Sequence, residues 1–231
     1  MRNVVVFSGA GMSAESGIKT FRDSGGLWES YDVYKVATPE AWLENPKLVL
    51  EFYNMRRKQV LEAQPNAAHH AIAELEKSYN VHVITQNIDD LHERAGNSKV
   101  LHLHGEILKA RSISNPDVLI DVKHDLKLGD CDESGSQLRP HVVWFGESVT
   151  EMGSAIKLIS KADIVLIVGT SLNVYPAAGL ISAAKPDVLC YLIDPAEVNM
   201  PNLKNLEVIK SGATEGVTKV VDHLLAKIEA I

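Results

Sequence analysis

Val81-His82-Val83-Ile84-Thr85-Gln86-Asn87-Ile88-Asp89-Asp90-Leu91-His92 is the stretch that decides the fold. Its apolar run over 81–84 stops abruptly in polar groups. A strand buried on both faces of a parallel sheet delivers side chains to the carboxyl edge in this way, where ligands bind. One short helix is expected over 88–95, with Gly96 just past its end. A second short strand, over 99–103, brings Leu101-His102-Leu103-His104-Gly105-Glu106 to the same edge. Gln86, Asn87 and Asp89 offer amide and carboxylate hydrogen bonds. His104 offers a base that titrates near neutral pH. Taken alone, Asn87 also reads as a helix cap and His104 as a structural histidine, so the rest of the chain has to decide.

Toward the amino terminus, a strand over 3–7 empties into Gly9-Ala10-Gly11-Met12-Ser13-Ala14-Glu15-Ser16-Gly17. Glycines that open a helix after a strand let backbone N–H groups approach a pyrophosphate. A bare Gly-x-Gly is equally a tight turn. A dehydrogenase would follow it with a second strand ending in an acidic residue about 20 residues on. Here Thr20-Phe21-Arg22-Asp23-Ser24-Gly25-Gly26-Leu27-Trp28 follows instead, a glycine-rich loop of the kind that covers a cofactor. The next segments are helical. Thr38-Pro39-Glu40 and Asn45-Pro46 are start signals, the second for a helix over 47–63, and a third helix is expected over 67–77. This bundle is too small to bury much alone and must lean on the sheet.

Toward the carboxyl terminus, 105–143 reads as small strands and turns. Arg139-Pro140-His141-Val142-Val143-Trp144-Phe145-Gly146-Glu147 reads as a strand running into a glycine. Helix and strand then alternate: helix 150–161, strand 164–168 ending in Gly169-Thr170-Ser171, helix 176–184, strand 188–193 ending at Asp194, strand 206–209. Gly212-Ala213-Thr214 opens a last helix over 215–228. Such alternation implies a parallel sheet. The expected fold is α/β: a Rossmann-like core over 1–24, 81–105 and 145–231. A smaller domain comes from two insertions, one helical (25–80) and one of small strands (106–144).

Composition narrows the setting. The 231 residues are 45% hydrophobic and 23% charged, which is ordinary globular usage. A net charge of −7 argues against a nucleic-acid surface. Cys131 and Cys190 make no disulfide framework, so a cytoplasmic setting is expected. No apolar run is long enough for a membrane span.

Five motifs in order carry a resemblance that covers essentially the whole chain. Gly-Ala-Gly-x-Ser-x-x-Ser-Gly-Ile-x-x-Phe-Arg at 9–22 resembles the signature of the sirtuins, the NAD-dependent protein deacylases. So do Thr-Gln-Asn-Ile-Asp-x-Leu-His at 85–92 and Leu-His-Gly at 103–105. Val-Trp-Phe-Gly-Glu at 143–147 and Gly-Thr-Ser-Leu-x-Val-x-Pro at 169–176 complete the set. The resemblance implies that Gly9, Ala10 and Gly11 hold the pyrophosphate of NAD, with Gly169, Thr170 and Ser171 on its other side. Ser13, Ile18 and Trp28 join the cofactor site. Phe21 and Arg22 cover the cofactor and shield the reactive sugar from water. Gln86, Asn87, Ile88 and Asp89 line the nicotinamide and ribose pocket, and Ala213 sits against adenine. Asp194 stands where the family usually has Asn; both accept from a ribose hydroxyl, but Asp adds a charge.

The implied reaction moves the acyl group of a lysine to ADP-ribose as nicotinamide leaves. His104 is the base, assisted by Asn87. The partners are acylated lysine side chains of proteins or peptides. Val143, Phe145, Gly146 and Glu147 are expected as an edge to which the substrate peptide adds as a strand. Mono-ADP-ribosyl transfer, or a catalytically idle NAD or ADP-ribose sensor, would use the same cofactor site.

Two departures within the family sharpen the expectation. Most relatives hold a zinc on two cysteine pairs in the second insertion. Here the matching positions read Ser112, Asn115, Cys131 and Ser136, so no zinc is expected. Apolar packing by Ile107, Leu108, Ile113, Val118, Leu119, Ile120, Leu126, Leu128 and Leu138 is expected to hold this zinc-module remnant together. In the first insertion, Tyr53 and Arg56 lie three apart and share a helix face. The pair resembles the Tyr-x-x-Arg of the sirtuins that remove succinyl and malonyl groups, and Ala37 matches the small residue of their acyl tunnel. A solvated Arg56-Arg57-Lys58 face, and a plain deacetylase, are the competing expectation.

Overall fold

The computed structural model describes residues 1–20, 31–199 and 203–229. Six strands make one parallel sheet: β1 (Asn3–Ser8), β2 (Asn80–Thr85), β3 (Val100–His102), β7 (Ile164–Val168), β8 (Leu189–Ile193) and β9 (Asn205–Ile209). Their order is β3-β2-β1-β7-β8-β9. The chain leaves β1 toward β2 and β3, then crosses to β7, β8 and β9. The order therefore reverses between β1 and β7, where a crevice opens at the carboxyl ends.

Alternating residues of each strand feed two apolar layers. Val4, Val6, Val81, Val83, Ile164 and Leu166 face α5 (Ala67–Leu75) and α8 (Ala213–Glu229) through Ile72, Leu75, Val217 and Leu224. Val5, Phe7, Ile84, Val165 and Ile167 face α7 (Met152–Lys161) and a short 3-10 helix (Ala177–Ala183). Burial on both faces is why these strands read as continuous Val/Ile runs.

One turn of helix, α1 (Gly11–Ala14), follows β1, and the smaller lobe joins α2 (Val33–Val36), α3 (Pro39–Glu44) and α4 (Pro46–Glu62) to an antiparallel sheet of order β5-β4-β6. Its strands are β4 (Gly105–Ser112), β5 (Leu119–Asp121) and β6 (Leu138–Val142). The helix starts fall where the caps predict: Thr38 accepts from Ala41 N at 3.1 Å and Asn45 from Leu48 N at 3.1 Å. Trp42, Phe52, Tyr53, Ile107, Val122 and Trp144 share one core.

Four expectations need correction. The helix expected over 88–95 shrinks to α6 (Leu91–Arg94). Side chains compete for the backbone there: Thr85 Oγ1 accepts from Asn87 N at 3.0 Å, and Asp89 accepts from Leu91 N at 3.2 Å. The helix expected over 176–184 is a 3-10 helix. Helix α5 lies within 25–80 but packs on the parallel sheet, so it belongs to the core.

The second insertion is not held by all the expected apolar residues. Ile107, Leu126 and Leu138 are buried, but Ile113, Leu119, Ile120 and Leu128 are exposed. Polar bonds replace them. Asp132 accepts from Ser134 N and Ser136 N at 2.9 Å each, and Ser114 N donates to Ser136 Oγ at 3.1 Å. Helix α4 reaches across as well. Asn54 exchanges two bonds with the Leu126 backbone, at 2.8 and 2.9 Å, and Arg57 Nε donates to Ile107 O at 3.0 Å.

Candidate active site

Two turns meet backbone to backbone at the crevice. Gly9 N donates to Val168 O at 3.0 Å and Gly11 N to Gly169 O at 2.9 Å. A Cβ on Gly9 would stand 2.7 Å from Gly169 O. Gly169 has φ +59°, and a Cβ there would stand 2.4 Å from the Gly11 carbonyl carbon. Only glycine permits this approach. The result is a cleft of about 600 Å³ whose walls include Gly9, Ala10, Gly11, Gly169, Thr170, Ser171, Asp194 and Ala213. That size suits a dinucleotide-scale ligand. Asp194 accepts from Ala196 N at 2.9 Å, which orients its carboxylate. The Ala213 wall is pinned by Glu15, which accepts from Thr214 N at 2.8 Å and from the Thr214 hydroxyl.

The β2 stretch is stitched into these turns. Asn87 Nδ2 donates to Gly9 O at 3.0 Å and to Ser13 Oγ at 3.1 Å, and Ser13 donates to Asp89 at 3.0 Å. Gln86 Nε2 donates to Thr170 Oγ1 at 2.9 Å. Burial pushes the Asp89 carboxyl up, against hydrogen bonds from Leu91 and Ser13 that hold it down.

His104 lines the same cleft. Its Nδ1 lies 2.9 Å from Gln86 O. A carbonyl only accepts, so Nδ1 carries the hydrogen and Nε2 keeps its lone pair. Burial lowers the pKa of the ring, so it is neutral and basic at pH 7. His102 is the opposite case. Its Nδ1 lies 3.0 Å from Asn87 O and its Nε2 2.7 Å from Glu93 Oε1. Burial disfavours the charged ring, but the Glu93 carboxylate outweighs burial and raises the pKa.

The inner end of the cleft is walled by Ala37, Tyr53, Arg56, Val60 and Trp144, all buried, and by Gln59. The Arg56 guanidinium sits 5.7 Å from the Phe52 ring centroid and 5.9 Å from that of Tyr53. Burial lowers its pKa, yet guanidinium stays charged at any working pH. Burial pushes the Tyr53 phenol up to about 12, so it remains a neutral donor. The solvated arginine face is thereby overturned: Arg56 and Arg57 are buried, and only Lys58 of the three is exposed.

Val143, Phe145, Gly146 and Glu147 line the cleft too, but not as an extended edge. β6 ends at Val142, and Gly146 has φ +93° in a turn. Three backbone N–H groups are already engaged: Val143 with His104 O at 2.9 Å, Phe145 with Ala37 O at 3.0 Å, and Glu147 with Trp144 O at 3.0 Å. The Glu147 carboxylate is a clamp. It accepts two bonds from Arg139 at 2.7 and 3.0 Å, two from Arg111 at 3.0 and 3.2 Å, and one from Trp144 N at 2.8 Å. Paired arginines outweigh burial and keep it ionised.

Every described residue expected in the site lines this one cleft, Ser13, Ile18, Gln86, Ile88 and Asp89 included. Phe21, Arg22 and Trp28 lie outside the described residues. Sequence reading missed Lys19, Gln59, Asn173, Val174 and Tyr175 as lining residues. Gln59 was within reach, three residues after Arg56 on the same face of α4.

A family model described as Sir2 family matches residues 9–176. The chain belongs to the Sir2 family. A Bacteroides thetaiotaomicron relative named NAD-dependent protein deacylase is 52% identical, over 97% of this chain and 99% of its own. A Helicobacter pylori relative of the same name is 52% identical over 97% and 98%. The crystal structure of a Sir2 homologue with NAD aligns at a TM-score of 0.88 and 38% identity, covering 97% of this chain and 90% of that one. A mutant Sir2 homologue with ADP-ribose aligns at 0.90 and 38%, covering 98% and 93%. The glycine cradle and cleft of this Sir2-family chain fit a pyrophosphate-bridged nucleotide.

Proposed function

We propose that this chain is an NAD-dependent protein-lysine deacylase that prefers acidic acyl groups such as succinyl and malonyl, with weak acetyl activity. The cofactor and reaction class are supported by the relatives' names and by the fit of the cleft. The acyl preference is carried by one observation: a buried Arg56 and a neutral Tyr53 at the inner end of the cleft that also holds His104. Guanidinium pairs bidentately with a carboxylate, and a phenol adds one hydrogen bond. Ala37 leaves room beside them.

NAD, when bound, supplies a ribose carbon from which nicotinamide can depart. Gly9, Ala10, Gly11, Gly169, Thr170 and Ser171 would hold its pyrophosphate, Asp194 a ribose and Ala213 the adenine. Gln86, Asn87, Ile88 and Asp89 would hold the nicotinamide ribose. His104 would take a ribose hydroxyl proton at Nε2, the atom its Gln86 bond leaves bare. Phe145 and the Glu147-clamped turn would face the substrate peptide. The reading includes a zinc-free second insertion in a cytoplasmic protein. It is supported by Ser112, Asn115 and Ser136 at positions where thiolates would be needed, with hydrogen bonds among the neighbouring serines.

The test is kcat/KM on matched succinyl and acetyl peptides for wild type and Arg56→Met. Removing one partner of a buried ion pair costs roughly 3–5 kcal/mol, about a hundredfold to a few thousandfold. Desuccinylation is expected to fall by that factor while acetyl turnover holds or rises. Wild type that prefers acetyl, or equal losses on both peptides, would leave a plain deacetylase.

A further inference from the structure

Beneath the Gln86–Asn87 loop, on the side away from the cleft, lies a buried line of polar groups the reaction does not touch. It begins at the cap of α5, where Asn66 N donates to His69 Nδ1 at 3.2 Å. A ring nitrogen that accepts carries no hydrogen, so neutral His69 is protonated at Nε2. The line ends at Thr85 Oγ1, which accepts from Asn87 N at 3.0 Å and from the Ser8 hydroxyl at 2.9 Å. Ser8 has given its only hydrogen to Thr85, so toward His92 Nε2, 3.1 Å away, it can only accept. His92 is therefore also protonated at Nε2, and its Nδ1 is bare.

Two atoms remain in the middle. His69 Nε2 and His92 Nδ1 are fully buried and have no hydrogen-bond partner among the described residues. The tautomers just derived make the first a donor and the second an acceptor. Their rings stand edge to face with centroids 4.8 Å apart. Asn97 fixes both residues, since its Nδ2 donates to His69 O at 3.2 Å and to His92 O at 3.0 Å. Burial lowers the pKa of both rings, that of His69 to about 4. A proton added to His69 Nδ1 would set it against the Asn66 N–H, donor to donor.

We propose that Asn66, His69, His92, Ser8 and Thr85 form a one-way line of neutral groups that positions the Asn87 peptide from beneath, the two histidine rings meeting edge to face at its middle. Every hydrogen bond in it is donated toward Thr85. Thr85 and His92 are thus positioning residues: they touch no ligand and act through Asn87.

The experiment has a structural arm and a kinetic arm. The kinetic arm alone rests on the deacylase reading. Long-range 1H–15N spectra of the wild-type protein at pH 7 are expected to show His69 and His92 neutral and protonated at Nε2. An Nδ1-protonated or charged ring at either position overturns the chain. Thr85→Val keeps the shape of the side chain and deletes the acceptor, while Thr85→Ser keeps the acceptor. With an acyl-lysine peptide and NAD, Thr85→Val is expected to lose about ten- to a hundredfold in kcat, the scale of a small misplacement in an active site. Its peptide KM should stay within about twofold and Thr85→Ser should stay near wild type. A Thr85→Val enzyme with normal kcat, or a Thr85→Ser enzyme equally impaired, overturns the proposal. A wild-type protein inactive on every acyl peptide would instead sink the deacylase reading and leave the spectra to judge the chain.

Discussion

The two ends of the cleft are made of different material. At the nucleotide end the walls are backbone. Gly9, Gly11 and Gly169 touch across the β1–β7 crossing, and no side chain could replace them there. At the end proposed for the acyl group the walls are side chains of α4 and of the turn after β6. Backbone walls demand particular residues at fixed spacing, so they are visible in a sequence. Side-chain walls are chosen by what they must recognise. On the proposed reading, one end sets the cofactor class and the other the acyl group.

The largest effect is expected from breaking the backbone end. Gly169→Ala places a Cβ 2.4 Å from the Gly11 carbonyl carbon in a φ that L residues rarely adopt. NAD binding measured by calorimetry should vanish, whereas Arg56→Met at the other end should bind NAD like wild type. Loss in both would mean that the ends are not separable. Next, His104→Ala should keep NAD binding and lose about a hundredfold or more in deacylation, the usual weight of a general base. Near-normal turnover would remove His104 from that role.

Tyr53→Phe sharpens the acyl end by deleting one hydroxyl. A hydrogen bond to a charged group is worth about 1.5–3 kcal/mol, roughly ten- to a hundredfold in kcat/KM. The loss should appear on succinyl peptides and be absent on acetyl ones. In pH profiles, the acid limb of kcat should fall below the ordinary imidazole value of 6.5, because burial lowers His104 and the neutral ring is the active form. A limb above 6.5 would contradict that environment.

The smallest effect concerns His102 and Glu93. The His102 pKa is raised above 6.5, so its stabilisation is full below 6.5 and is lost as pH rises through the folded value. The Glu93 pKa is lowered from 4.5, against burial, by His102, so its share is full above 4.5 and is lost as pH falls through the folded value. Thermal melts of His102→Gln should therefore differ from wild type chiefly between pH 4.5 and 6.5. A uniform offset at all pH values would argue against the pair.

This division also explains what could be read in advance. The six parallel strands follow from Val/Ile runs, and the cradle from glycines at strand ends. Tyr53 and Arg56 could be paired because helical spacing alone puts them on one face. The turn at 145–147 reads as strand because Val142-Val143-Trp144-Phe145 is one apolar run into a glycine. Its geometry depends instead on Arg111 and Arg139 meeting Glu147 from β4 and β6, and on Arg139 stacking 3.2 Å over Trp144. The exposed Ile113, Leu119, Ile120 and Leu128 misled for a similar reason. Asn54 and Arg57 hold the second insertion by polar bonds from α4, and sequence distance hides such bonds.

The Glu15–Thr214 contact has a consequence for how the molecule comes into being. Glu15 follows the first strand, and Thr214 sits in the first turn of α8, 199 residues later. During synthesis the chain emerges amino terminus first, and a domain folds as a unit. The glycine cradle closes only when Gly169 follows β7 out, and one wall of its cleft arrives later still, with α8. A nascent chain shorter than that should ignore the nucleotide, so ligand-assisted folding begins only once α8 has emerged.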